Sequence, residues 1–384
     1  MSREARIELV KGIEERRQSH LVAYFLSDRV GAQAQIGEDA VRPLYDHLLA
    51  IEADSQRRNR IDMFLYSRGG GVEVPWRIVS TVREFCDEFA VLIPYKAHSA
   101  ATMIALGADE IVMGKKGELG PIDPSATITH ESGGQQRQEQ INVEDMMSFI
   151  SFLRDRANLT DQDALSSNVG VLAQKLQPWI IGGMYRTHAH MNLVARKLLD
   201  TRKIKIEESK ANNIIKALVE EIYLHGHAIG RKEASDMGLP VCNPDPEVER
   251  LIWDLFLEYE GYMSLNQPID PRTFIPEEVD EYTEANLITA CIESAHLLHV
   301  FSGDLKARRV RQPPPQLNIN ISLNVQLPAG VTPQTVPQPI VQEIVRQLQS
   351  QISEQVRQQL RSQAPVVRVE GALQGASWKR VGDE

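Results

Sequence analysis

Residues 90–113 read AVLIPYKAHSAATMIALGADEIVM, and the fold class follows from the order of elements predicted for this stretch. AVLIP is a short apolar run that predicts a buried strand, 99–107 predicts a short helix, and EIVM predicts a further strand. The same order occurs upstream, where the apolar run IDMFLY (61–66) ends in SRGGG (67–71) and a helix is predicted for 72–87. Strands alternating with helices of this length predict βαβ units and a largely parallel sheet.

The first turn of interest is Ser67–Gly71, which follows a predicted strand and opens a helix. Ligands bind at such strand ends in open α/β sheets. Adjacent glycines let backbone N–H groups face outward and let a substrate approach closely, which suits an oxyanion hole. The turn lacks the G-x-G-x-x-G spacing and the lysine of nucleotide-binding loops. A simple tight turn between strand and helix is the alternative interpretation.

The second turn is YKAHSAAT (95–102), which places Ser99 at the start of a helix. Exposed N–H groups and the positive end of the helix dipole lie there and stabilise a developing negative charge. The small side chains of Ala100 and Ala101 leave room for a substrate backbone. Serine is also a favoured N-cap residue, so capping alone is the competing interpretation of Ser99.

Taken together, the two turns resemble the serine dehydrogenase proteinase family, a branch of the Clp protease and signal peptide peptidase A superfamily. The matching segments are SRGG (67–70), SAATMIALGADEIVM (99–113) and LGPIDP (119–124). The resemblance runs from about residue 5 to 241 and is most specific over 62–124. It implies an α/β fold of the crotonase-like, ClpP-type class, with a βαβ superhelical core and a parallel sheet.

The resemblance also implies roles for individual residues. Ser99 would be the nucleophile, and the N–H groups of Gly70 and Ala100 would form the oxyanion hole. Asp123 and His225 would complete a triad, His225 being the histidine that precedes GLPV (238–241).

The chain departs from the family pattern at three positions near these residues. Arg68 stands where the family usually has proline, and Gly226 replaces the aspartate that follows the family histidine. His227, two residues after His225, is a second candidate for the base. The departures therefore affect the assignment of the base more than the assignment of the nucleophile.

Serine catalysis makes physical demands that hold whatever the family. A serine hydroxyl needs a base within hydrogen-bond reach, and a neutral imidazole suits that task. A carboxylate then fixes the imidazole tautomer and stabilises its protonated form. A lysine is the rival base, and Lys115 and Lys116 follow the fourth predicted strand. An exposed lysine is protonated at neutral pH, so one of them would have to be buried to serve.

Two H-x-H pairs raise the question of a metal. They are His188 with His190 and His225 with His227. On a helix, positions i and i+2 face apart, so the first pair does not form one ligand face. We favour ordinary histidines over a zinc site built from one member of each pair, and expect neither a metal nor a cofactor.

Composition limits the class of protein. The chain has 384 residues with 52 acidic against 42 basic side chains, a net charge of −10, which argues against a nucleic-acid partner. Its three cysteines are too few and too widely spaced for a disulfide framework. Apolar stretches are shorter than the ~20 residues of a membrane span, and no leader is visible. We therefore expect a cytoplasmic protein without a membrane span.

The sequence divides into three parts. Residues 1–260 form the predicted peptidase domain, which includes a helical extension over 143–156, 161–176, 178–200 and 207–224. Residues 261–311 are an ordered extension of unknown role. Residues 312–384 are a Pro/Gln-rich tail, with a strand predicted over 317–327 and an amphipathic helix over 339–361. The apolar stripe of that helix suits self-association or docking.

The function predicted from these observations is a cytoplasmic serine peptidase that acts on protein or peptide substrates without a cofactor. We expect a homo-oligomer, and the C-terminal helix is a candidate contact for a partner protein. Two alternatives stay open, namely a crotonase-type acyl-group enzyme that uses the same oxyanion hole and a non-catalytic ClpP-like scaffold protein. The identity of the substrate does not follow from the sequence.

Overall fold

The computed structural model describes residues 2–54, 59–122, 125–132, 135–142, 148–175, 178–221, 226–312 and 338–382. Asp123 and His225 lie outside these ranges. The chain forms two compact units. The first comprises Met1–Pro268, Ile288–Ser302 and Ala376–Glu384, and the second comprises Ile269–Leu287 and Gly303–Gly375.

Helices and short strands make up most of the chain. The helices are α1 (Arg3–Arg17), α2 (Val41–Glu52), α3 (Val74–Arg83), α4 (Ala100–Leu106), α5 (Gln162–Lys175), α6 (Pro178–Asp200), α7 (Glu208–Lys216), α8 (Arg231–Asp236), α9 (Pro246–Tyr262), α10 (Pro271–Phe274) and α11 (Gln338–Gln363). The strands are β1 (His20–Leu26), β2 (Arg60–Tyr66), β3 (Glu88–Ile93), β4 (Lys96–Ala97), β5 (Glu110–Met113), β6 (Glu118–Leu119), β7 (Ser125–Ser132), β8 (Gln135–Asn142), β9 (Ile229–Gly230), β10 (Val241–Cys242), β11 (Glu281–Ser294), β12 (Leu298–Arg311) and β13 (Val366–Arg380).

A parallel sheet of order β10-β5-β3-β2-β1 forms the centre of the first unit. The residues of β11 that belong to this unit pair antiparallel with β1. Strands of a parallel sheet are covered on both faces, so they are apolar throughout. Strand β1 follows this rule, because every one of its residues is buried.

Alternate residues of β1 contribute to two different cores. Val22, Tyr24 and Leu26 face the larger core, to which α2, α3, α4 and α6 contribute. Leu21, Ala23 and Phe25 face a second core formed with α1 and α9. The side-chain period of two in a strand produces this division.

Charged side chains are buried where the parallel strands begin. Asp62 is fully buried and is paired with Arg17 and Arg60, and Arg17 Nη2 also donates to Glu110 Oε2 at 2.9 Å. Burial raises the pKa of Glu110, but hydrogen bonds from Arg17 and Cys242 and the charges of Arg17 and Arg60 outweigh it. The pKa of Glu110 falls to about 2.

A second buried ion pair joins two segments of the first unit that are far apart in sequence. Arg6 Nε donates to Glu293 Oε2 at 2.6 Å, and both side chains are at most 1% exposed. Tyr259 donates its hydroxyl to the same carboxylate oxygen at 2.9 Å, and the Arg6 guanidinium lies 4.3 Å from the centre of the Tyr262 ring. This network links α1, α9 and β11.

A small sheet of order β4-β6-β9 stands beside the large one. Lys96 pairs with Glu118 and Ala97 with Leu119 in parallel register. Leu119 then pairs with Ile229 in antiparallel register. The small sheet therefore brings together three segments that are far apart in sequence.

The second unit is held by strands and by ion pairs of its own. Arg311 Nη2 lies 2.8 Å from Asp280 Oδ1, and Arg308 Nη2 lies 2.8 Å from Glu370 Oε2. Helix α11 also belongs to this unit, and its apolar side chains Ile344 and Leu348 are 50% and 40% exposed.

The mixed α/β class predicted from the sequence is confirmed, with its parallel sheet, its helical extension and its C-terminal helix. The antiparallel hairpin β7–β8 was not predicted, and residues 261–311, for which the sequence predicted order without a type of secondary structure, contain strands β11 and β12. The tail strand predicted over 317–327 lies outside the described residues. Among the helices described, none has both the length and the hydropathy required to cross a lipid bilayer.

Candidate active site

The two turns singled out in the sequence lie side by side. The N–H of His98 donates to the carbonyl of Ser67 at 3.0 Å, and the N–H of Ser67 donates to the carbonyl of Lys96 at 3.0 Å. The segments follow β2 and β3, which are neighbours in the parallel sheet. The carboxyl ends of parallel strands share one edge, so the turns that follow them meet there.

Gly70 is fixed by the backbone of Ile36. The N–H of Ile36 donates to the carbonyl of Gly69 at 2.8 Å, and the N–H of Gly71 donates to the carbonyl of Ile36 at 2.9 Å. A β-carbon on Gly70 would lie 2.3 Å from the carbonyl oxygen of Ile36. No side chain fits at this position, so close backbone approach is the reason for the glycine.

Ser99 has a strained backbone at the start of α4. Its φ is 52° and its ψ is −114°, a combination that residues with a β-carbon rarely adopt. The Ser99 hydroxyl makes no capping hydrogen bond to α4, although the residue occupies the N-cap position. Its side chain is 8% exposed. A strained serine that does not cap its own helix points to a role other than helix initiation.

Each of the two turns contains a backbone N–H group without a hydrogen-bond partner in the described ranges. Within the described part of the chain, the N–H groups of Gly70 and Ala100 have no hydrogen-bond acceptor. The Ala100 N–H belongs to the first turn of α4, where N–H groups have no partner inside the helix. Neither N–H group is therefore engaged by an acceptor among the described residues, as an oxyanion-hole donor requires.

A histidine–carboxylate pair that was not predicted from the sequence lies next to Ser99. His98 Nε2 lies 3.2 Å from Glu118 Oε1, and both side chains are less than one fifth exposed. Burial lowers the pKa of His98, and the charge of Glu118 opposes this shift in part. The register of β4 with β6 places the two residues together, and no local sequence pattern reveals that pairing.

The residues predicted from the sequence as the base or its carboxylate are either outside the described residues or exposed. Asp123 and His225 lie outside the described residues. His227 Nε2 is 2.9 Å from Glu233 Oε1, and both side chains are about 40% exposed. Lys115 is 81% exposed and lies 3.4 Å from Glu249, and the Lys116 ammonium lies 4.4 Å from the centre of the Tyr95 ring. Neither lysine meets the requirement for a buried base.

The match to a family model covers the part of the chain that carries both turns. Residues 2–146 match the ClpP-like SDH-type serine proteinases. The resemblance inferred from the sequence is thereby confirmed for this segment, which contains strands β1, β2, β3 and β5 of the parallel sheet. The family is one of serine proteinases.

Two curated relatives are uncharacterized proteins of Methanocaldococcus jannaschii. One is 24% identical over 260 residues, which cover 66% of this chain and 78% of the relative. The other is 24% identical over 199 residues, which cover 52% of this chain and 56% of the relative.

Similar solved structures include proteases. A variant of the 1510-N membrane-bound stomatin-specific protease is 20% identical with a TM-score of 0.23, and the match covers 32% of this chain and 58% of that chain. ClpP1 from Listeria monocytogenes is 13% identical with a TM-score of 0.32, and the match covers 62% of this chain and 97% of that chain.

Proposed function

We propose that this protein is a cytoplasmic serine peptidase that hydrolyses peptide bonds through an acyl-enzyme on Ser99. The observation that carries the proposal is the conformation of Ser99, which has a positive φ and a hydroxyl that does not cap its own helix. The family match over residues 2–146 supports the same reaction class.

The proposed reaction has two stages, acylation of Ser99 and hydrolysis of the acyl-enzyme. Ser99 Oγ attacks the substrate carbonyl carbon while the base takes its proton. The N–H groups of Gly70 and Ala100 bind the oxyanion that forms. The base then gives the proton to the leaving amine as the C–N bond breaks, which leaves an ester on Ser99. Water, deprotonated by the same base, attacks the ester carbonyl carbon. The bond from that carbon to Ser99 Oγ then breaks, the base returns the proton to Ser99 Oγ, and the carboxylic acid product leaves.

We assign the base to His225 and its orienting carboxylate to Asp123. The chain connections support this assignment. Leu119 pairs with Ile229 next to β4, which leads into Ser99. Asp123 is four residues after Leu119, and His225 is four residues before Ile229. Four residues span at most about 14 Å, so Asp123 and His225 each lie within that distance of the Leu119–Ile229 pair. His98, with Glu118 as its carboxylate, is the rival base.

Self-association is the second part of the proposal. Helix α11 exposes Ile344 and Leu348 in a stripe with a spacing of three to four residues. An exposed apolar stripe on a helix is typical of a contact with another chain. We propose that copies of this chain assemble into a homo-oligomer and that α11 provides a contact, either between copies or with a partner protein.

Labelling with a fluorophosphonate tests the peptidase proposal. We expect one covalent adduct, located on Ser99 by mass spectrometry, and no adduct in Ser99→Ala. Ser80→Ala is the matched control, because the Ser80 hydroxyl bonds the carbonyl of Arg77 within α3 and lies on a helix surface. An intact protein that never labels would contradict the peptidase and favour the acyl-group enzyme or the scaffold.

A further inference from the structure

Three side chains that commonly bind metals meet at the edge of the sheet where β1 begins. His20 is the first residue of β1, Asp54 follows α2 by two residues, and His296 lies in the turn between β11 and β12. One donor atom from each lies within 4.8 Å of the other two. The three residues are far apart in sequence, so the fold alone brings them together.

The turn that carries His296 is held in place by Ser294. Ser294 pairs with Val22 of β1, and its N–H donates to the carbonyl of Leu297 at 3.0 Å. The Ser294 hydroxyl accepts the N–H groups of His296 and Leu297, each at 3.3 Å, and lies 2.8 Å from His47 Nδ1. A turn with this many contacts presents its histidine in a defined position, as a metal ligand requires.

The distance between two members of the group fits a small divalent ion. His296 Nε2 lies 3.3 Å from Asp54 Oδ2. Two ligands bound at about 2.0–2.1 Å in a tetrahedral site are about 3.4 Å apart. The side chains of Asp54 and His296 are 24% and 32% exposed, whereas that of His20 is 5% exposed. An ion would therefore reach Asp54 and His296 from solvent, and His20 would be its buried ligand.

The surroundings favour a cation. The three residues line an open cleft of about 740 Å³, together with Glu8, Lys11, Gly12, Glu14, Glu15 and Ala295. Three glutamates against one lysine give the cleft a negative field. Glu14 Oε1 lies 4.0 Å from His20 Nδ1 and accepts the N–H of Leu21 at 2.8 Å. A carboxylate beside a ligating histidine orients its ring.

We propose that His20, Asp54 and His296 bind one divalent transition-metal ion of the Zn²⁺ class. Two imidazoles and one carboxylate select such ions over Mg²⁺ and Ca²⁺, which prefer oxygen ligands. The ion cross-links β1, the end of α2 and the β11–β12 turn, so its binding energy stabilises the fold. Strand β1 spans about 20 Å, and the site lies at its opposite end from the edge that carries Ser99. The role of the ion is therefore structural.

Titration of the full-length, tag-free chain tests this site. After removal of metal with EDTA, calorimetry with ZnCl₂ at pH 7.5 should give one Zn²⁺ per chain, and Zn²⁺ should raise Tm. Co²⁺ should give the visible absorption of a site with nitrogen and oxygen ligands. His296→Ala and Asp54→Asn should each weaken Zn²⁺ binding by more than about 100-fold, since even indirect partners of a metal contribute 10–100-fold.

His227→Ala is the matched control, because His227 also lies beside a carboxylate, Glu233, and is similarly exposed. Binding should be unchanged in this variant. His20 is buried, so a substitution there would combine a folding effect with the loss of a ligand. The test therefore uses variants of Asp54 and His296, which are more accessible to solvent. Absence of binding, or binding lost in His227→Ala but kept in His296→Ala, would overturn the proposal.

Discussion

Gly69 and Ser99 are in direct contact across the two turns. A β-carbon placed on Gly69 would come within 2.8 Å of Ser99 Cβ and 3.3 Å of Ser99 Oγ. Gly69 also has a φ of 113°. The Ser99 side chain can therefore occupy its position only because Gly69 has no side chain.

Gly69→Ala should remove the proposed activity, because its methyl group would displace Ser99. It should also destabilise the fold by about 1–3 kcal/mol, because alanine is strained at this φ. The measurements are the rate of fluorophosphonate labelling and a denaturant melt. Gly183→Ala in α6 is the control, since a β-carbon there meets no atom within 4 Å and alanine is favoured inside a helix. Labelling at the normal rate in Gly69→Ala would show that this contact does not position Ser99.

Ser99→Gly should be inactive and more stable than Ser99→Ala. Glycine accepts a positive φ without strain, whereas alanine keeps the β-carbon that makes this conformation costly. The expected difference in the free energy of unfolding is about 1–3 kcal/mol. Chemical denaturation of the two variants in parallel measures it. Equal stabilities would mean that the backbone at Ser99 is not strained in solution.

The base can be found by comparing three histidine variants. His225→Ala should slow fluorophosphonate labelling by several orders of magnitude, and the wild-type rate should rise with pH through an imidazole pKa. His227→Ala should label normally, because His227 is exposed and lies beside Glu233. If His98→Ala is the inactive variant instead, the pair of His98 and Glu118 supplies the base.

Glu110 should make stability depend on pH in acid. Its pKa in the folded chain is about 2 against an ordinary 4.5, so its ionised form stabilises the fold. This contribution is complete above pH 4.5 and is lost as the pH falls towards 2. Glu110→Gln should therefore lower the free energy of unfolding by up to about 3 kcal/mol at pH 7 and by less at pH 3. Glu84→Gln, at an exposed position, should show no such dependence. An equal loss at both pH values would exclude the linkage.

Substitution on α11 tests the proposed assembly. Ile344→Lys and Leu348→Lys place charge in the exposed apolar stripe, and we expect the mass measured by light scattering to fall. Ser350→Lys adds the same charge to α11 at an exposed position outside the stripe and should leave the mass unchanged. A constant mass in all three variants would assign the stripe to a different protein partner or to no contact.

The core and the meeting of the two turns could be predicted because both depend on local pattern. Short apolar runs such as 61–66 and 90–94, each followed by a turn, specify parallel strands, and parallel strands bring their following turns to one edge. The amphipathic helix predicted over 339–361 was equally clear, and α11 is observed over Gln338–Gln363.

Other features depend on contacts that have no local signal. The pair of His98 and Glu118 is set by β4 and β6, which have two residues each and are too short to show a period. The positive φ of Ser99 is imposed by its neighbours, since serine itself does not favour it. Hairpin β7–β8 is built from polar residues and lacks the apolar alternation by which strands are recognised.

The buried pair of Arg6 and Glu293 has a consequence for synthesis on the ribosome. The two residues are 287 positions apart, and β1 also needs a neighbour from residues 290–294. At about 5–20 residues per second, translation takes about 15–60 s to supply the second partner. During that time the nascent chain carries an unpaired arginine in α1 and an uncovered edge of β1, a strand that is apolar after His20. The growing polypeptide is therefore a natural client for chaperones until the β11–β12 hairpin has left the exit tunnel.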